Sequence, residues 1–288
     1  LDTVPPAIGF FESGLSLTDG RVFGRTALPV VSVVEAHPGT TAATLDGAPF
    51  VSGTAVSGEG SHQLSVVSED RAGNRATRSV RFTVDTMPPA LAITQPAPGS
   101  VVGTLPAALS GTCGDAVRVS SAGRDVIPVD GTFTFPAWPF VEGRPTVLVT
   151  AVDAAGNEAR ATAGYVVDVA APVIAVSTPV DGAILGPGPI FVRGTATDST
   201  LREVTVEGLP VAFGSGGDFS AGPFSRADGA TEFVAKATDA AGRSSTATVH
   251  VTVDSVPPVV SVRIAATGAV LVPGALLSTP PVLDVLVT

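Results

Sequence analysis

The chain has 288 residues, a formal net charge of −10 and only 15% charged residues. Its 16 basic residues are scattered singly, so it lacks the basic stripe of a nucleic-acid surface. No apolar run approaches the ~20 residues of a membrane-spanning helix, and one cysteine excludes an intramolecular disulfide. Valine, threonine, alanine, glycine and proline dominate, with few stretches of helical character, which predicts an all-β class.

In chain order, residues 1–85 read as a first module. Residues 28–34 predict a strand, residues 44–50 a hairpin about Asp46-Gly47, and residues 60–67 a strand that enters the motif Asp70-Arg-Ala-Gly-Asn74. A second alternating run then leads to Asp85 and Pro88-Pro89. Residues 86–168 repeat the sentence, with Asp153-Ala-Ala-Gly-Asn157 leading to Asp168 and Ala171-Pro172. Residues 169–254 repeat it again, with Asp239-Ala-Ala-Gly-Arg243 leading to Asp254 and Pro257-Pro258. The closing aspartates Asp2, Asp85, Asp168 and Asp254 are spaced 83, 83 and 86 residues apart, an internal repeat with room for one core per module. Residues 255–288 open a fourth copy. Leu1 is not a start methionine and residue 288 falls in mid-module, so a fragment of a longer repetitive protein is expected.

The motif predicts a hairpin. Gly73, Gly156 and Gly242 supply the positive φ of a short loop, and the preceding aspartate caps turn amides. Counting back from each closing aspartate gives Val84, Phe82, Val80, then Val167, Tyr165, Ala163, then Val253, Val251, Val249, one buried face that a slip of one residue would turn to water. Phe135 and Phe140 align with Phe219 and Phe224 as core anchors. About seven short strands per module, punctuated by Gly and Pro, predict a two-sheet sandwich. The Asp-x-x-Pro-Pro junctions lack a flexible tether, so the modules are expected to form a semi-rigid rod, with each first strand an edge that its prolines protect.

At these motifs the chain resembles tandem bacterial Ig-like repeats of extracellular proteins, over residues 2–254 and the start of another copy. The resemblance implies immunoglobulin-like β-sandwiches in a bacterial cell-surface or secreted protein. It implies a stalk or spacer that presents another domain, with adjacent modules as partners. The alternatives are adhesin modules that bind a glycan or a protein, and the accessory region of a secreted hydrolase. There is no inter-sheet cysteine pair and no tryptophan at a shared position, unlike antibody domains. Arg243 replaces the motif asparagine in the third copy.

Calcium is the one cofactor to weigh, because some relatives in the resembling family bind it between modules. Asp70, Asp85, Asp153, Asp168, Asp239 and Asp254 are the candidate ligands, with Asp19, Asp46, Asp115, Asp181 and Asp198 nearby in sequence. No Asp-x-Asp-x-Asp pattern occurs, and turn and junction capping explains the repeated aspartates first. No catalytic constellation is found: His37, His62 and His250 occupy unrelated repeat positions, and no nucleophile or phosphate-loop motif is present, so no enzyme is expected. Lys236, the only lysine, falls on an outward face in a module without asparagine, which excludes a buried isopeptide bond there. Cys113 shares its repeat position with Ala196 and reads as a buried, inert thiol. Trp138 is weighed as an exposed platform for a sugar ring against local packing.

Overall fold

The structure is a computed structural model that describes residues 2–274 and 282–287. Among these residues every regular element is a β-strand. Two compact units divide between Val169 and Ala170; among the described residues the first holds two hydrophobic cores and the second one.

In the first unit, the opening repeat has eight strands: β1 (Ala7–Glu12), β2 (Leu15–Ser16), β3 (Arg21–Phe23), β4 (Val30–Val34), β5 (Pro38–Leu45), β6 (Ala48–Pro49), β7 (Gly60–Asp70) and β8 (Arg75–Val84). A sheet β2-β1-β4 faces a sheet β3-β8-β7-β5-β6. Alternation decides the faces: Leu64, Val66, Val80, Phe82 and Val84 point inward with Phe10 and Phe23, while Ser65, Thr77 and Arg81 point out. Each large apolar side chain buried this way contributes about 1.5–3 kcal/mol. The hairpin expected at Asp46-Gly47 joins β5 to β6, and both turn residues have positive φ, 52° and 86°.

The second repeat comprises β9 (Ala92–Gln95), β10 (Val101–Val102), β11 (Ala107–Thr112), β12 (Arg118–Ser121), β13 (Arg124–Val126), β14 (Thr132–Trp138), β15 (Thr146–Val152), β16 (Glu158–Gly164) and β17 (Val166–Val167). Sheets β14-β11-β9 and β13-β12-β15-β16 enclose Leu109, Val119, Phe133, Val149 and Tyr165. Trp138 and Phe140 belong to this core, each with 6% of its surface exposed. Trp138, weighed as a platform for a sugar ring, is therefore locally packed. Trp138 packs edge-on against Phe135 at 5.3 Å, Phe140 against Tyr165 at 5.1 Å.

In the second unit, the third repeat comprises β18 (Val173–Thr178), β19 (Ala183–Leu185), β20 (Ile190–Thr197), β21 (Leu201–Val206), β22 (Leu209–Val211), β23 (Asp218–Phe224), β24 (Gly229–Asp239) and β25 (Ser244–Val253). Its sheets are β18-β20-β23 and β19-β25-β24-β21-β22. Beyond it, β26 (Val260–Ile264) pairs antiparallel with β27 (Leu283–Val287); the intervening residues 275–281, part of the expected fourth copy, lie outside the described residues. In each of the three repeats the last strand also carries a short parallel strand from near the repeat's start: β3 on β8, β10 on β17, β19 on β25. A three-stranded sheet packed on a larger one, closed by this parallel pairing, is the immunoglobulin-like sandwich.

Candidate functional site: the hairpin and junction aspartates

The repeated motif folds as a tight hairpin whose glycine takes φ of 89°, 90° and 87° at Gly73, Gly156 and Gly242. In the first two repeats the aspartate turns inward and both its oxygens are engaged. Asp70 Oδ1 accepts the amides of Ala72 and Asn74 at 2.8 and 2.9 Å, and Oδ2 accepts Asn74 Nδ2 at 2.8 Å. Asp153 repeats this with Ala155 and Asn157, at 2.8, 2.9 and 2.9 Å. The Asn74 side-chain amide, ahead of the backbone N–H groups, holds the Asp70 carboxyl below the usual carboxylate value.

The asparagine has a second role that sequence reasoning missed. Asn74 Nδ2 also donates to the Asp2 carbonyl at 3.2 Å, and Asn157 Nδ2 to the Asp85 and Met87 carbonyls at 2.8 and 3.3 Å. Each asparagine thus fastens the chain that opens its repeat onto the hairpin that closes it. In the third repeat Asp239 Oδ1 still accepts the Arg243 amide at 2.8 Å, but Oδ2 is buried without a hydrogen-bond partner.

The junction aspartates form Asx turns: Asp2, Asp85 and Asp254 each accept the amide two residues on, at 3.1, 3.3 and 3.1 Å. Asp168 is fully buried. A further recurrent acid went unread. Glu59, Glu142 and Asp228 accept the amides of Thr86, Val169 and Ser255, the residues that follow the closing aspartates. Their constant separation of 27 residues from the amide they cap was available in the sequence; only the Glu/Asp alternation hid it.

Three acidic side chains converge in the first unit, Asp85, Asp115 and Asp153, with one oxygen of each within 4.8 Å of the others. Asp2, Glu35 and His37 form another such group, and Asp198 and Asp239 approach equally closely in the second unit. An all-carboxylate set is the right kind for calcium, which takes six to eight oxygens. The number is short: a carboxylate has about four lone-pair sites, and Asp153 has filled three with N–H donors. Asp85 and Asp115 are left to supply the rest. Asp70 lies outside these groups and, like Asp153, has three of its lone-pair sites taken by its own loop; Asp254 caps Val256.

The remaining candidates resolve simply. Cys113 is fully buried, and burial pushes its thiol up, away from reactivity. Lys236 is on the outward face of β24, opposite Thr246. His250 is exposed and bonds Asp181 at 3.2 Å. His62 bonds Asp46 Oδ2 at 2.7 Å and the Gly58 carbonyl at 2.8 Å.

The model of the family described as glucodextranase, domain B, matches residues 172–255, the third repeat. No curated protein matches the chain. Among solved structures, the titin I-band fragment I67–I69 is 14% identical, with 88% of this chain and 100% of that one covered and a TM-score of 0.49. A tetra-tandem repeat from the extending region of a large adhesion protein is 21% identical (90% and 77% covered, TM-score 0.34). A mixed-linkage glucan utilization locus protein of Bacteroides ovatus, SGBP-B, in complex with a heptasaccharide, is 14% identical (90% and 72% covered, TM-score 0.25). What the fold and the family match show together is a chain of Ig-like β-sandwich repeats, one of which is similar to domain B of glucodextranase.

Proposed function

We propose that the chain is a non-catalytic spacer of tandem Ig-like modules, 1–85, 86–168 and 169–254, in an extracellular or cell-surface bacterial protein, where it holds another domain at a distance. The observation that carries this reading is the internal use of the recurrent polar groups. Asp70 and Asp153 cap amides of their own hairpins, Glu59, Glu142 and Asp228 cap the first amide past the end of their repeats, and Asn74 and Asn157 bind carbonyls of the segment that leads into theirs. A repeated polar motif spent on its own backbone supports architecture, and the aspartates act as turn and junction caps. The family match of the third repeat supports a second setting for the same role, the accessory region of a secreted hydrolase.

A glycan array probed with the 288-residue chain tests the reading. The spacer predicts retention no greater than that of an unrelated Ig-like module. Saturable binding of one glycan class would replace it with the adhesin reading.

A further inference from the structure

The three repeats are not equally built where tension enters them. In a chain of modules joined end to end, load arrives at one junction and leaves at the next, so it pulls the opening strands of a repeat one way and the last strand the other. Because β3, β10 and β19 run parallel to β8, β17 and β25, this load acts along the strands and strains their cross-bonds together instead of peeling them singly. Resistance then follows the length of that parallel patch.

In the first repeat the patch pairs Arg21, Val22 and Phe23 with Phe82, Thr83 and Val84. Asp19 extends it, its Oδ1 accepting the Arg81 amide at 2.7 Å. The third repeat does the same with Ala183, Ile184 and Leu185 on Val251, Thr252 and Val253, and Asp181 Oδ1 accepts the His250 amide at 2.7 Å. The second repeat pairs Val101 and Val102 with Val166 and Val167, one residue fewer, while the Gly99 N–H still donates to the Gly164 carbonyl at 2.8 Å and the Val166 N–H to the Ser100 carbonyl at 3.1 Å. Pro98 stands where the others have aspartate, one residue before the glycine that begins the patch, and offers no side-chain acceptor. Its final strand is broken at Tyr165 into β16 and β17, where β8 and β25 run ten residues each without interruption. Its first strand is short too: β9 meets β11 over Ala92, Ile93 and Gln95, whereas β1 and β18 each hold five partners.

We propose that residues 86–168 are the release element of this chain under tension: the second repeat yields first and lengthens the chain while its neighbours stay folded. The proposal deepens the spacer reading and takes its biological sense from it, but the order of yielding is a property of the repeats alone. An unfolded repeat spans at most roughly 270–310 Å, its gain in length being that less its folded span, and forced unfolding reports the unfolding rate, not equilibrium stability.

Single-molecule pulling of the full chain through terminal handles tests it. Three events of similar length gain are expected, one at distinctly lower force. Pro98→Asp, which installs the missing acceptor, should raise that lowest event toward the other two, whereas Asp181→Ala should lower one of the stronger events and leave the weakest unchanged. If Pro98→Asp does not fold, the pair Asp19→Ala with Asp181→Ala still decides, since removing both acceptors should draw all three events together. Three events of equal force in the unaltered chain would overturn the proposal, as would a lowest event that responds to Asp181→Ala. Glycan retention would remove the spacer reading and leave this order standing; a failed order leaves the spacer reading intact.

Discussion

Asn157→Ala removes the side chain that joins hairpin to junction, and its cost follows from the bonds it makes. Nδ2 donates to the Asp153 carboxylate at 2.9 Å and to the Asp85 carbonyl at 2.8 Å, with Met87 sharing the second hydrogen at 3.3 Å. A hydrogen bond to a charged group contributes about 1.5–3 kcal/mol and a neutral one about 0.5–1.5 kcal/mol. Asp153 retains only 3% of its surface, so its Oδ2 cannot recover a full partner from water. The expected loss is about 2–4 kcal/mol in the second repeat, on the order of 10 °C in the midpoint of a domain this size. Differential scanning calorimetry resolves the repeats, and hydrogen exchange should report faster opening at residues 85–89. A double-mutant cycle with Asp153→Asn isolates the pair. A loss under 0.5 kcal/mol, or a loss without faster exchange at the junction, would refute the fastening role.

Tyr165 carries the reverse expectation. Its hydroxyl is buried without a hydrogen-bond partner, burial pushes its pKa up, and the first repeat has Phe82 at the same place, so Tyr165→Phe should stabilise by about 1–2 kcal/mol in a denaturant titration. His62 gives a pH dependence. Burial pulls its pKa down, but the Gly58 carbonyl and the Asp46 carboxylate outweigh burial and the net shift is upward, since only the doubly protonated ring donates to both. Its contribution to stability is complete below the ordinary value of about 6.5 and is lost as pH rises through the higher folded value. NMR titration of the ring should place the midpoint above 6.5, and His62→Gln should flatten the stability profile there; a midpoint below 6.5 would show that burial wins.

Much of the fold was legible because period two and a repeated turn are local signals. Val80, Phe82 and Val84 and their counterparts were identified as one face from spacing alone, and all nine are buried. The glycines of the hairpins were legible for the same reason, since positive φ is a backbone demand that the next residues cannot meet. Trp138 was not legible: whether an aromatic between prolines is a platform or a plug depends on β11 and β14 pairing out of register at Ala107 and Leu109, a tertiary fact. Nor was the second bond of Asn74 and Asn157, which reaches a carbonyl 72 residues away. Gly111 and Gly194 stand two residues before Cys113 and Ala196. In the sandwich a Cβ at either would collide with the carbonyl of Ala92 or Ala175 on the adjacent strand. Long-range proximity of this kind leaves no periodic trace.

The central claim, that the repeated aspartates cap their own chain, is tested most directly by thermal unfolding of the 288-residue chain in calcium and then in excess chelator at fixed ionic strength. Capping predicts midpoints that agree within a degree. Calcium held at 100 times its dissociation constant would stabilise a binding repeat by about 2.7 kcal/mol. An upward shift of several degrees, abolished by Asp115→Asn, would contradict the account and make Asp85, Asp115 and Asp153 a calcium site.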